Sequence, residues 1–192
     1  MVGARQFDEE EMIATALDVF WRKGLHDATM QDLATATGVQ RGSLYNAYGD
    51  KEAIFLRAFD KYAEGFLEMA ASALAEGSAA DRLHHFFKLI IANMTGGSPP
   101  RGCLTTRTAI DAAVSSITVR RRVQTLLSRL ERLVSDAISP APRRPTDPDR
   151  LARVIVTFTR GLAVMERAGY GRKQLEEAAG TFVDALVGNI AA

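Results

Sequence analysis

Apolar residues recur at helical spacing along almost the whole chain. Between residues 8 and 23, Ile13, Ala16, Leu17 and Phe20 fall at i, i+3, i+4 and i+7, one face of a 3.6-residue period. Asp8, Glu9, Glu10 and Glu11 crowd its first turn, where negative charge suits the helix dipole, and Gly24 is a stop signal. Thr29-Met-Gln-Asp32 has the form of a capping box and opens a short helix that ends at Gly38. Asp50 caps a long helix expected from Lys51 to about Glu76, with Ile54, Phe55, Ala58, Tyr62, Phe66 and Met69 as its apolar stripe. Ser78-Ala-Ala-Asp81 opens another, running to Met94 before Gly96-Gly97.

Ser98-Pro99-Pro100 reads as a turn, followed by a helix from about Arg101 to Val114. A longer helix starts near Thr118 and carries Val119, Val123, Leu126, Leu127, Leu130, Leu133 and Val134 on one side. The prolines between Pro140 and Pro145 cannot continue it and mark a loop. Asp147, with Pro148 at the first helical position, restarts the chain as a helix to about Ala168. Gly169 and Gly171 break that helix, and a last one runs from Arg172 to Val187. No segment shows the alternation of a strand, so the fold class is all-α with about nine helices.

Composition narrows the class further. The chain has 192 residues, 24 Lys+Arg against 23 Asp+Glu, and a single Cys. That length holds one large domain or a small one joined to a medium one. One cysteine excludes an internal disulfide framework and a cysteine-cluster metal site, and suits a reducing compartment. The start of the chain lacks the basic and apolar regions of a signal peptide, and no stretch approaches the ~18 apolar residues of a membrane span. A soluble, cytoplasmic protein is therefore expected, with no membrane partner. The formal net charge of +1 says nothing about partners, so any nucleic-acid role must rest on local geometry.

That geometry lies between Thr29 and Asn46, where two short helices flank a turn at Gly38-Val39. Leu33, Ala34, Val39 and Leu44 are spaced so that the helices cross and share a small core with Phe20 and Phe55; Gly38 supplies the turn and small Ala34 permits close crossing. With Leu44 turned inward, the second helix, near Gln40 to Asn46, shows solvent Gln40, Arg41, Gly42, Ser43, Tyr45 and Asn46. This is a donor and acceptor surface without a carboxylate, and it fits a DNA major groove. A plain helical corner with a polar exterior has the same pattern. Acids outnumber Arg5, Arg22, Lys23, Arg41 and Lys51 in residues 1–51, but they sit on the first helix or at helix starts.

The run from Thr29 to Phe55, TMQDLATATGVQRGSLYNAYGDKEAIF, resembles the DNA-binding domain of the TetR/AcrR family of bacterial repressors. The resemblance implies an N-terminal three-helix helix-turn-helix domain (residues 1–50) and a six-helix ligand-binding and dimerisation domain (residues 51–192). It also implies a homodimer on a palindromic DNA operator, released by a small-molecule effector. Carried over position by position, Thr29 caps the first motif helix and touches a phosphate, while Gln40, Arg41 and Ser43 face base edges and Gly42 allows close approach. Tyr45 and Asn46 contact phosphates, the latter where the family often has histidine. Tyr48 seats the helix or reaches the backbone, and Lys51 grips a phosphate together with a helix N-terminus.

The C-terminal helices should enclose a core or a cavity. Phe66, Met69, Phe87, Ile91 and Met94 are candidate lining residues, and so are Cys103, Arg107, Ile110, Leu127, Phe158 and Met165. Arg107 would hold an anionic ligand group if it points inward and be solvated if it points outward. Arg101-Gly-Cys-Leu104 is similar to the start of the same helix in one branch of the family. Cys103, at a helix N-terminus beside Arg101, is a sensing thiol or a small packing residue. For the dimer, the expected surface is built from Leu151, Ile155, Phe158 and Leu162 with Leu175, Ala179, Phe182 and Leu186, where small neighbours permit close helix approach.

Enzyme chemistry finds no support in the chain. His84 and His85 are adjacent on one helix and point about 100° apart, so they cannot share a metal. There is no HExxH, GxSxG, Walker or GxGxxG segment, and no cofactor or metal site is expected. The competing reading is a helical small-molecule-binding or protein-interaction dimer without specific DNA binding.

Overall fold

A computed structural model describes residues 8–139 and 147–191, with the side chains of 112–115 and 187–191 excluded. Nine helices and no strand lie among the described residues: α1 Glu9–Asp27, α2 Met30–Thr37, α3 Arg41–Tyr48, α4 Lys51–Ala73, α5 Ala79–Thr95, α6 Leu104–Ser115, α7 Ile117–Ile138, α8 Pro148–Arg167 and α9 Arg172–Ala191. The proline-rich stretch 140–145 falls outside them. Helix starts follow local chemistry. Thr29 and Ser78 each close a capping box with the acid three residues on, and Asp147 caps α8 with Pro148 inside its first turn.

Helix α4 stops at Ala73 rather than near Glu76, α9 runs to Ala191 rather than Val187, and two further boundaries differ from expectation. The helix after Ser98-Pro99-Pro100 begins at Leu104, three residues later than expected, because Arg101–Cys103 are not helical and Gly102 takes φ +69°. Helix α1 does not end at Gly24. That glycine breaks the helical geometry with φ 79° and ψ 171°, and one more turn follows to Asp27.

The chain forms two compact units. The first comprises residues up to 64 together with 107–123, and the second comprises 65–106 with 124–192. In the first unit Leu33 and Leu44 are both fully buried, and α2 packs against α1 and α3. Phe20 and Phe55 meet edge-to-face there at 5.1 Å, and Phe55 stacks on Phe59 at 5.6 Å. Each such buried side chain contributes about 1.5–3 kcal/mol of burial, enough to orient an eight-residue helix that could not stand alone.

The second unit is built on α5, which packs against α8 and α9. Leu83, Phe86, Phe87, Ile90, Ile91 and Met94 are all buried on its inner face. Phe158 of α8 and Phe182 of α9 stack face to face with centroids 4.0 Å apart, and Phe87 meets both edge-on.

Candidate nucleic-acid interface

The interface grows from α2 and α3. Thr29 Oγ1 accepts from the Asp32 amide at 3.1 Å, while Asp32 Oδ2 accepts from the Thr29 amide at 2.9 Å and from its hydroxyl at 2.8 Å. Lys23 Nζ lies 2.6 Å from the other carboxylate oxygen and ties α2 back to α1. These donors, Lys23 foremost and then Thr29, hold the Asp32 carboxyl down at about 2. After α2 the chain turns at Gly38 in the left-handed region, φ 68° and ψ 4°, and enters α3 three residues later.

On α3, Leu44 alone is buried and locks the helix to the core. Arg41, Gly42, Tyr45 and Asn46 are exposed, and Ser43 is half-buried. Gln40 is exposed at the N-cap, one position ahead of the helix rather than within it, and its side chain makes no capping bond. The Arg41 guanidinium carbon lies 5.4 Å from the Tyr45 ring centroid, and Nη2 donates to the phenol oxygen at 3.4 Å. The contact links side chains one helical turn apart on the exposed side of α3.

Two of the expected contacts do structural work. Tyr48 is half-buried and its hydroxyl donates to Glu9 Oε1 at 3.3 Å, which seats the end of α3 on the start of α1. Lys51 Nζ donates to the carbonyls of His26 at 3.0 Å and Ala28 at 2.5 Å. An ammonium carries three N–H groups, and these bonds use two of them. Asp50 Oδ1 accepts from the Ala53 amide at 2.8 Å and caps the same helix start.

A connection that the sequence did not disclose binds α6 to α1. The break at Gly24 strips the carbonyls of Trp21 and Arg22, and the amide of Leu25, of regular helical partners. Arg107 Nη1 donates to those carbonyls at 3.3 and 3.1 Å, and Asp111 Oδ2 accepts from the Leu25 amide at 3.2 Å. The two side chains are four residues apart on α6 and so share a face. The approach is close: a Cβ at Gly24 would lie 2.6 Å from Asp111 Oδ2 and 2.8 Å from Arg107 Nε. Arg107 is thus engaged, through Nη1, at a broken helix end.

The remaining expected lining residues separate. Phe87 and Ile91 border a cavity between α5 and α9, whereas Phe66 and Met94 are buried among other core side chains. Met69, Ile110 and Met165 are corrected to surface positions, 46%, 66% and 37% exposed. On α4 the inward face at that level is already taken by Phe66, Leu67 and Ala70, which turns Met69 outward. Leu127 and Phe158 are half-buried. Cys103 is half-buried too, and the guanidinium beside it belongs to Arg160, whose Nη1 lies 3.3 Å from Sγ and 3.4 Å from Thr106 Oγ1.

The residues expected at the dimer surface also change face. Leu151, Ile155, Leu162, Leu175 and Ala179 are buried within the single chain, against the α5, α8 and α9 core, and Phe158, Phe182 and Leu186 are half-buried. The outward side of α8 carries Val154, Thr157, Gly161, Val164 and Met165 instead, and Ala178 and Ala185 are exposed on α9.

A short polar helix pinned by one leucine, following a glycine turn and a capped helix, defines a helix-turn-helix DNA-binding regulator. Residues 12–58 match the family described as "Bacterial regulatory proteins, tetR family", and residues 79–182 match "Tetracyclin repressor-like, C-terminal domain". The chain belongs to the TetR family, whose members are DNA-binding transcriptional regulators rather than enzymes. It is similar to the HTH-type transcriptional repressor ComR of Escherichia coli, 24% identical over 91% of this chain and 87% of that one. Among solved structures, a cysteine-substituted variant of the TetR family regulator CifR, complexed with 26-bp double-strand operator DNA, is 26% identical. The two match with a TM-score of 0.85 over 95% of this chain and 98% of that chain. A TetR regulator from Chloroflexus aurantiacus is 27% identical with a TM-score of 0.79, over 93% and 92% of the two chains. No helix among the described residues is long and apolar enough to cross a membrane.

Proposed function

We propose that the chain is a cytoplasmic repressor that binds a palindromic operator as a homodimer and leaves it when a small molecule occupies the C-terminal helical domain. The observation that carries the reading is α3, whose polar side is exposed while Leu44 fixes its other side to the core. Gln40, Arg41 and Ser43 read base edges, and Gly42 lets the backbone come near. Thr29, Tyr45, Asn46 and the spare N–H of Lys51 take phosphates, while Tyr48 orients the helix from behind. The printed descriptions of the relatives support this: ComR and a Mycobacterium protein, DhaR, are named repressors, and CifR has been solved on operator DNA.

In this reading residues 1–50 bind DNA and residues 51–192 carry the effector site and the dimer surface. The outward row on α8, Val154, Gly161 and Val164, forms that surface with Ala178 and Ala185 of α9. Two copies related by a twofold axis then present two α3 helices to half-sites about one helical turn (~34 Å) apart, or a related spacing. Release runs through α4, which begins at Lys51, and through α6, whose Arg107 and Asp111 hold the end of α1. An effector shifts the equilibrium only by its preference for the released state over the bound one.

Fluorescence anisotropy on DNA from upstream of the chain's own reading frame, over a salt series, tests the reading. Operator-selective binding that weakens steeply with salt is the expected result. Binding that ignores sequence and salt would return the chain to a helical interaction module.

A further inference from the structure

Between α5 and α9 lies a cavity of about 310 Å³, at the small end of the roughly 300–1,000 Å³ common for ligand sites. Its floor is apolar: Phe87, Ile91 and Ala179 are all buried. Gly180 faces it from α9, and a Cβ placed there meets no atom within 4 Å, so the space is not a packing necessity of the helix pair. The rim is charged and unevenly paired. Glu176 is held by Arg172 at 2.8 Å, and His84 Nε2 lies 3.5 Å from Asp184 Oδ1. Lys88 is exposed at the same rim and has no carboxylate partner among the described residues.

We propose that this cavity is a binding site for a compact amphipathic carboxylate, its apolar tail against Phe87 and Ile91 and its head group on Lys88. The one carboxylate that lines the cavity, Glu176, is already paired with Arg172, which leaves the Lys88 ammonium at the rim for a ligand head. One ammonium matches one negative charge. A phosphate dianion would need donors that the rim does not offer. The proposal concerns binding alone and stands or falls independently of operator release.

Octanoate is the probe, titrated calorimetrically into the full-length chain with 1-octanol as its uncharged counterpart. One saturable site per chain is expected, with a negative heat-capacity change from apolar burial and affinity for octanoate roughly threefold or more above that for octanol. Gly180→Leu puts a side chain into the open space and should weaken octanoate at least about tenfold, while a melting temperature at or above the parent's shows that the helix is intact. Lys88→Glu changes only an exposed side chain and should weaken octanoate by about tenfold or more without weakening octanol. Absence of saturable binding, or binding indifferent to Gly180→Leu, overturns the site. Equal affinity for acid and alcohol, or octanoate binding untouched by Lys88→Glu, overturns the ligand class.

Discussion

Gly24→Ala is the sharpest test of the joint between α1 and α6. In an ordinary exposed helix position, exchanging glycine for alanine stabilises by about 1 kcal/mol. Here the backbone sits at φ 79°, ψ 171°, a region that is essentially glycine's alone and costs other residues about 1–3 kcal/mol. The new methyl would also stand 2.6 Å from Asp111 Oδ2 and 2.8 Å from Arg107 Nε, displacing both. That loosens the two bonds to the carbonyls of Trp21 and Arg22 and the bond from the Leu25 amide, each worth about 0.5–1.5 kcal/mol net. Strain and lost bonds overlap, since relaxing one spares part of the other, so a destabilisation of about 2–4 kcal/mol is expected. At about 3 °C per kcal/mol for a chain of this size, the melting temperature falls by about 6–12 °C. The assay is thermal unfolding followed by circular dichroism, with the same substitution repeated in an Arg107→Ala background. There the penalty should shrink, because one displaced partner is already gone. An unchanged or raised melting temperature in the parent background would refute the argument outright.

Other outcomes follow from the same geometry. Gln40→Ala should relax sequence preference in binding to a panel of operator variants, whereas Lys51→Ala should weaken every sequence alike and lower the salt slope by about one. Lys51→Ala should also lower the melting temperature, since Nζ closes the carbonyls of His26 and Ala28. The Asp32 carboxyl, held at about 2 by Lys23 and Thr29, lies below its unfolded value near 3.9. Its contribution to stability is therefore complete above about pH 4 and is lost as pH falls from there towards 2. A proton-titration midpoint for Asp32 near 4 by NMR would contradict this. Gly161→Arg, on the outward side of α8, should give a monomer by analytical ultracentrifugation with the helix content unchanged; a dimer would move the interface elsewhere.

Much of the fold was legible because its signals are local. Thr29 with Asp32, Ser78 with Asp81, and Asp147 with Pro148 mark helix starts through contacts three residues long at most, and each forms as read. The polar side of α3 was legible for the same reason, since one inward leucine fixes the rest of an eight-residue helix. What could not be read depends on which element faces which. Arg107 lies 86 positions from Trp21 and Arg160 lies 57 from Cys103, and nothing in the period of α6 or α8 names those partners. The row from Leu151 to Leu162 was correctly apolar but wrongly aimed. Periodicity shows that a face must be covered, while only the packing of α5 against α8 and α9 shows that the chain covers it itself.

The discontinuity of the first compact unit bears on how the protein is made. Residues 107–123 belong with the first 64, so the amino-terminal segment leaves the ribosome before the strip that finishes it. Arg107 follows Trp21 by 86 positions, roughly 4–17 s of synthesis at 5–20 residues per second. Until then the end of α1 is held by Lys51 but not by α6. The first compact unit cannot be completed until the chain has been translated as far as residue 123.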